Sequence, residues 1–319
     1  MKTFVSETYG PPSSMQLRDA PKPTPRAGEV LIRVMAVSVN PADWHCLRGK
    51  PLFSRATLGF RRPKHPVLGV DVAGRVEAVG PGVTRFKAGD EVYANLLDRS
   101  FGGFAEYVAT TEDVIARKPA NLTFEEAAAV PMAAITALQG LRHHGPIRRG
   151  QTVLVNGASG GVGHFAVQIA KALGATVTGV TSTGNLDLVR SLGADRVIDY
   201  TKRDFAKDGP RHDLIVDTIG NRSRADLIAG LTEGGKAAVI GFTSMRGLLS
   251  AALFGGKRIK VVQAHATVAD FEFLTTLIEA GKVRPAIDRS YPFTELPEAI
   301  AYLEKGRARG KVVVAVATA

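Results

Sequence analysis

The sequence predicts an α/β protein, in which a β-rich N-terminal region precedes a doubly wound, mostly parallel sheet. Three observations carry this. From Gln151 onward, apolar runs at 152–155, 176–181, 197–199, 214–217 and 237–240 alternate with stretches that mostly show helical spacing, the pattern of strands joined by helical crossovers. The first run leads straight into Gly157-Ala158-Ser159-Gly160-Gly161-Val162-Gly163, then into apolar residues at helical spacing over 165–173, ending at Gly174. Before residue 120 the chain reads instead as alternating strands cut by turns such as Pro81-Gly82 and Gly89-Asp90.

Taken in order, residues 29–39 alternate apolar and polar side chains at first, as a half-buried strand does, and 71–79 and 91–94 read similarly. Residues 21–28 hold too many prolines for a helix. Near Leu122 the texture changes. Thr123 and Glu126 have capping-box spacing, Pro131 interrupts the helix that follows, and 133–141 resumes it. After Ala269 come a helix, a strand around Tyr291, a second helix from Leu296 and a last strand at 311–316. The apolar stretch 246–256 reads as a surface loop, a short helix or a buried helix of the parallel-sheet region.

Strand, glycine turn and helix together are the setting of a dinucleotide-binding turn. From Ala158 the spacing is A-x-G-x-x-G. Gly160 lets a pyrophosphate lie against the backbone, and Gly163 lets the helix pack close to its strand. The N–H groups from Ser159 to Gly163 and the helix dipole favour an anion there. A site selective for NAD wants an acid about 20 residues on, at the end of the second strand. Here that tip reads Thr181-Ser182-Thr183-Gly184-Asn185, with no acid before Asp187. Hydroxyls without a repelling carboxylate favour NADP(H).

The bulk numbers bound the alternatives. Among 319 residues, 45% are hydrophobic and 22% charged; 41 Lys and Arg against 30 Asp and Glu leave a net charge of +11. This excess suits an anionic cofactor as well as nucleic acid or anionic membrane, but the basic residues are scattered apart from 55–64 and 307–311, and no nucleic-acid-binding motif is present. No apolar run approaches a membrane span, and the start lacks the apolar core of a signal peptide. Cys46 is the single cysteine, which excludes an intramolecular disulfide and a multi-cysteine zinc site. A cytoplasmic protein is the expectation.

Few residues suggest chemistry on their own. Asn40-Pro41-Ala42-Asp43-Trp44 has the makings of a helix start, with Asn40 as cap, Pro41 in the first turn and Asp43 completing it. His45 and Cys46 have no partner at metal-ligand spacing, and His65 and the pair His143-His144 are isolated. There is no H-E-x-x-H or G-x-S-x-G motif, so hydrolysis and metal catalysis lack a sequence basis.

Nearly end to end, the chain resembles the zinc-independent medium-chain dehydrogenases/reductases of the quinone oxidoreductase (zeta-crystallin-like) type. The resemblance rests on VNPADW (39–44), HPVLGVDVAGRVEAVG (65–80), Gly89-Asp90 with Val92, GGFAEYV (102–108), EEAAAVPMAAITAL (125–138), NGASGGVG (156–163), SLGADRVIDY (191–200) and RARGKVVV (307–314). It implies a chaperonin-10-like (GroES-like) catalytic domain at 1–121 and 267–319, a Rossmann domain at 122–266, and an active site in the cleft between them. Where zinc-bearing relatives carry ligands, this chain reads Ser38-Val39-Asn40 and Gly69-Val70-Asp71. The resemblance therefore implies hydride transfer from NADPH, without metal, to a quinone or an α,β-unsaturated carbonyl.

Carried over by position, Ser159, Gly160, Gly161 and Val162 match the pyrophosphate turn. Ser182 and Tyr200 match positions at the 2′-phosphate end, where the Thr183 hydroxyl of the tip is a further donor, and Gly241, Phe242 and Thr243 match the loop beside the nicotinamide. Arg307, Arg309 and Lys311 match a basic tail closing over the cofactor. Asn40, Asp43 and Thr136 match positions at the nicotinamide end, with Asp43 or water as the proton source. Relatives often carry arginine where Gly184 stands, a departure that weakens the selection for NADP. The partner expectations are a small-molecule substrate, no nucleic acid and a homodimer. An enoyl-thioester or polyketide-type enoyl reductase, and a non-enzymatic NADPH-binding protein, are the competing readings.

Overall fold

The computed structural model describes residues 1–99, 101–209, 211–241 and 256–317. Phe242, Thr243 and all of the apolar stretch except Gly256 lie outside the described residues. In chain order the strands are β1 (Lys2–Val5), β2 (Gln16–Asp19), β3 (Glu29–Val39), β4 (Asp71–Val79), β5 (Glu91–Asn95), β6 (Tyr107–Thr111), β7 (Ile115–Arg117), β8 (Thr152–Asn156), β9 (Thr176–Thr181), β10 (Arg196–Asp199), β11 (His212–Asp217), β12 (Leu231–Val239), β13 (Ile259–Val261), β14 (Ile287–Pro292) and β15 (Lys311–Ala315). The chain divides into one unit of Met1–Met132, Ala266–Thr275 and Ile287–Ala319, and a second of Ala133–His265 and Thr276–Ala286.

The first unit is built on a sheet of order β14-β15-β3-β4-β5-β7, with β6 also pairing to β3. All its pairs are antiparallel except β14 with β15. The β3–β4 ladder bulges at Glu77 of β4 and at Met35 of β3, and on its other edge the long β3 pairs first with β6 and then with β15. Val34, Val37, Val72, Val92, Ile115 and Val314 meet in its core. Helix α1 (Pro41–Arg48) starts immediately after β3 and ends at Gly49, which is left-handed. Pro131 does not simply break a helix: it opens a new one, Pro131–Gln139, where its missing N–H costs nothing.

In the second unit the sheet runs β10-β9-β8-β11-β12-β13, parallel throughout. In the order of its own strands this is 3-2-1-4-5-6, the doubly wound dinucleotide-binding arrangement, whose order reverses between β8 and β11. Leu154, Val180, Ile198, Ile215 and Val239 form the core on the sheet. Register places Asn156, at the carboxyl end of β8, beside Val180 on one side and Asp217 on the other.

The glycine turn follows at that end, and helix Gly163–Ala172 begins behind it. A Cβ on Gly163 would stand 2.0 Å from the Gly157 carbonyl oxygen, whereas one on Gly160 would meet only that same oxygen, at 3.3 Å. Hence Gly163 is demanded by packing within the protein, and Gly160 is largely free of that demand. Gly163→Ala is expected to cost about 1–3 kcal/mol in urea unfolding, and Gly160→Ala much less. Equal losses would show that the helix does not approach β8 as described.

Candidate active site

The cradle in the second unit is made first of backbone. Gly157 and Ala158 donate their N–H groups to Val180 O at 3.1 and 3.0 Å, and Gly160 donates to Gly157 O at 3.0 Å, which curls the turn. The N–H groups of Ser159, Gly161 and Val162 have no acceptor among the described residues. No side chain caps the helix that follows. Free donors at the positive end of a helix, with space where a Gly160 side chain would be, fit a pyrophosphate.

Beside the turn, side chains extend the cradle. Ser159 Oγ lies 2.8 Å from Thr181 Oγ1, and the Asn185 amide donates to Ser159 Oγ at 3.1 Å and to Ser182 Oγ at 3.3 Å. Because Asn185 supplies a proton to Ser182 Oγ, the serine's own hydroxyl proton is left to donate elsewhere. Asn185 Oδ1 is buried without a partner. Thr183 differs from its expected part. Its hydroxyl donates to Asp199 Oδ2 at 2.6 Å, and this hydrogen bond, above all, holds the Asp199 carboxyl below the usual range. An ionised acid thus stands beside the strand tip, 16 residues beyond Thr183 in sequence. Tyr200, next to it, is exposed. Gly241 follows β12, where a Cβ would be 2.2 Å from Thr218 O.

In the first unit, the residues matched to the nicotinamide end are enclosed. Asn40, Asp43, Ser38, Asp71 and Lys311 are all buried. Asn40 Nδ2 donates to Ser38 O at 3.2 Å and to Asp71 Oδ2 at 3.0 Å, while its Oδ1 accepts from Lys311 Nζ at 2.5 Å. Lys311 Nζ is 3.7 Å from Asp71 Oδ2. Asp71 also accepts from Ser38 Oγ at 3.2 Å and from Met132 N at 3.0 Å. Asp43 Oδ2 accepts from Asn40 N at 2.7 Å, and its Oδ1 is buried without a partner. Burial pushes the Asp71 carboxyl up and the Lys311 ammonium down; each charge opposes the shift of the other.

Lys311, grouped by sequence with an exposed basic tail, is therefore part of a sealed network, because it opens β15 with its side chain turned into the unit. Arg307 and Arg309 remain exposed, and Arg309 N donates to Asp288 Oδ2 at 3.1 Å. Thr136 is buried on helix Pro131–Gln139 and belongs to the second unit, whereas Asn40 and Asp43 belong to the first. Burial, then Asp43, pushes the Cys46 thiol up to about 12, away from the thiolate form. Among the described residues, no three His, Cys, Asp or Glu side chains gather as a metal site would require.

Residues 26–120 match the alcohol dehydrogenase GroES-like domain and residues 192–314 the zinc-binding dehydrogenase family. A 2-methylene-furan-3-one reductase of Solanum lycopersicum is 37% identical over 98% of this chain and 79% of its own length. An NADPH-dependent alkenal/one oxidoreductase, chloroplastic, of Arabidopsis thaliana is also 37% identical, with the same coverage. The chain belongs to the medium-chain dehydrogenase/reductase family. Its fold agrees: the solved quinone oxidoreductase from Coxiella burnetii has a TM-score of 0.89 at 31% identity, covering 99% of both chains. A solved CurK enoyl reductase has a TM-score of 0.83 at 27% identity, covering 98% of both chains.

This medium-chain dehydrogenase/reductase is an oxidoreductase with a nicotinamide dinucleotide cofactor. The expected cytoplasmic location is corrected by the relatives, whose names place them in chloroplasts or mitochondria. Sequence reasoning also missed Asn185, Asp199, Asn156 and Asp217. Asn156 Nδ2 donates to Asp217 Oδ1 at 2.8 Å, joining the two strands at the reversal of strand order. Only Asn185 left a signal, an amide within the strand tip.

Burial, chiefly, raises the Asp43 carboxyl to about 7, against about 3.9 in an unfolded chain. The folded state thus keeps a proton that the unfolded chain has released. The stability this group contributes is full below about pH 4 and is lost as pH rises through 7. Asp43→Asn should remove that dependence: between pH 5 and 8 the wild type should lose about 2–3 kcal/mol more than the variant in urea unfolding. Parallel curves would mean that Asp43 is already ionised at pH 5.

Proposed function

We propose that the protein is an NADPH-dependent reductase that delivers hydride, without a metal, to the β-carbon of an α,β-unsaturated carbonyl or to a quinone. The observation that carries the reading is the cradle: three unpaired N–H groups at the glycine turn, with the Ser182 hydroxyl held by Asn185 as a free donor at the strand tip. The acceptor class is supported by the two relatives at 37% identity, whose names specify a 2-methylene-furan-3-one and alkenals or alkenones, all conjugated carbonyl compounds. The printed name of the solved neighbour supports the quinone.

When bound, the reduced nicotinamide supplies the hydride. The chain's own part is positioning. The N–H groups of Ser159, Gly161 and Val162 hold the pyrophosphate, while Ser182 and Tyr200 meet the 2′-phosphate. In this reading Gly241, after β12, lies beside the ring. Fixing the donor against the acceptor provides much of the rate in such reactions. Reduction of the conjugated bond also needs a proton at the α-carbon. The enclosure of Asp43 supports solvent as its source. Asn40 is engaged by Lys311, Asp71 and Ser38, which supports a positioning part for it.

Metal-free chemistry is supported by the two stretches that stand where zinc-bearing relatives carry ligands, 38–40 and 69–71: within them Ser38 and Asn40 both donate to Asp71, beside the Lys311 ammonium. A second cation there would face that charge. Treatment with a strong chelator should leave NADPH-dependent reduction of an enone unchanged. Stoichiometric zinc whose removal abolishes turnover, and whose return restores it, would overturn the proposal.

Cofactor choice follows from the strand tip. Charge-assisted hydrogen bonds are worth about 1.5–3 kcal/mol each, so donors at Ser182 and Tyr200 would give roughly hundredfold preference for NADPH. Asp199 reduces this by repulsion, so the preference is expected nearer tenfold and should widen in Asp199→Asn. Ser182→Asp should reverse it. Dissociation constants for NADPH and NADH by fluorescence titration provide the check. Equal affinities in the wild type would mean that this tip does not read the 2′ position.

A further inference from the structure

One stretch of the first unit serves neither the cradle nor the buried network. Between Asp43 and Asp71 the chain has no acidic residue and six basic ones, Arg48, Lys50, Arg55, Arg61, Arg62 and Lys64. The same stretch carries the three most exposed large hydrophobic side chains among the described residues: Phe60 at 80%, Leu52 at 69% and Phe53 at 61%. Arg48 is engaged by Glu304, but Arg61, Arg62 and Lys64 are exposed and form no ion pair among the described residues.

Their presentation is held in place. Tyr9 Oη donates to Gly59 O at 2.5 Å, and the Arg55 guanidinium sits 4.4 Å over the Tyr9 ring while Nε donates to Gly49 O at 3.0 Å. Gly59 has φ +115°, and a Cβ there would lie 2.0 Å from Arg62 O. Lys64 N closes the turn by donating to Leu58 O at 2.7 Å. Leu58 and Pro63 line a small recess with Cys46, Leu68 and Phe101. The segment therefore turns Leu58 and Pro63 to the recess and leaves Leu52, Phe53 and Phe60 in solvent. That exposure is unfavourable unless something covers them.

We propose that residues 50–64 form a docking surface for an anionic lipid bilayer. Leu52, Phe53 and Phe60 would enter the boundary between headgroups and acyl chains, while Arg61, Arg62 and Lys64 would meet the lipid phosphates. Single-stranded RNA would also attract the cations, but it engages stacked aromatic platforms, and Leu52 offers no such face. The attachment is peripheral: among the described residues no helix is long and apolar enough to cross a membrane. The inference is independent of the proposed acceptor, since it rests on the exposure and charge of this segment alone.

The test is cosedimentation of the full chain with vesicles of phosphatidylcholine alone and of phosphatidylcholine with phosphatidylglycerol. Binding to the anionic vesicles only, weakened by salt, is expected. Arg61→Gln and Arg62→Gln should each lower partition about fivefold, the equivalent of ~1 kcal/mol per basic residue near such a surface. The double variant Phe53→Ser/Phe60→Ser should lower it further at every salt concentration, with an unchanged thermal melt. No binding to anionic vesicles, or variants that bind like wild type, would overturn the proposal. So would variants that raise KM for a water-soluble enone yet partition normally, which would give the segment to the acceptor. Salt-independent self-association abolished by the double variant, without vesicle binding, would give it to a second copy, and displacement by RNA but not by anionic lipid would give it to nucleic acid.

Discussion

The ammonium of Lys311, buried in the first unit, is the charge around which that unit's polar interior is arranged. A desolvated cation needs close partners, and here they come from far apart in sequence. Asn40 lies just after β3, Asp71 opens β4, and Lys311 itself opens β15. Asp71 in turn collects hydrogen bonds from Ser38, Asn40 and Met132. The network therefore fastens the last strand of the unit to its two longest, and fastens the start of helix α1 to both. Removing one member would leave an uncompensated buried charge, a loss of about 3–5 kcal/mol in comparable pairs. Asn40 is a member of this scaffold, and Asp43 is joined to it through the Asn40 backbone N–H.

The second unit solves a different problem with different means. Its anion cradle must present donors without presenting bulk, so it is made from backbone. The turn at 157–163 leaves three N–H groups unpaired, and the missing side chain at Gly163 allows its helix to begin against the Gly157 carbonyl. The Asn156–Asp217 bond holds β8 and β11 together where the strand order reverses, the place at which such sheets bind their ligands. Side chains enter mainly at the strand tip. There Asn185 orients Ser182 while Asp199 takes the Thr183 hydroxyl. The result is a site in which hydroxyl donors at Ser182 and Tyr200 face one repelling acid, a more balanced electrostatic environment than the tip sequence alone suggests.

How far the site is legible depends on how local its residues are. Ser159, Gly160, Gly161, Val162 and Gly163 stand in five consecutive positions with the strand and helix on either side, so their arrangement is written in spacing. The capping pair Thr123 and Glu126 is equally local, and the structure contains it, with Glu126 N donating to Thr123 Oγ1 at 3.2 Å. Asp199 is different. It reaches the strand tip because β10 pairs with β9, and no spacing rule within 181–187 announces it. Lys311 is misleading for the opposite reason: Arg307, Arg309 and Lys311 look like one basic tail, yet Gly310 precedes a strand that carries the third cation inward.

The parallel doubly wound region, the β-rich first part, the dinucleotide turn and the family are legible along the chain, because each rests on local periodicity, on turn chemistry or on motifs in a fixed order. Which charges are buried together, which hydroxyls are already engaged and which apolar residues stay in solvent become visible in the folded chain alone. Those outcomes depend on desolvation and on distance between elements that lie tens to hundreds of residues apart. Asn40 and Lys311 are separated by 271 positions and joined by a single 2.5 Å hydrogen bond. A pairing of that kind is set by strand register in the folded sheet, and no feature near either residue in the chain encodes it.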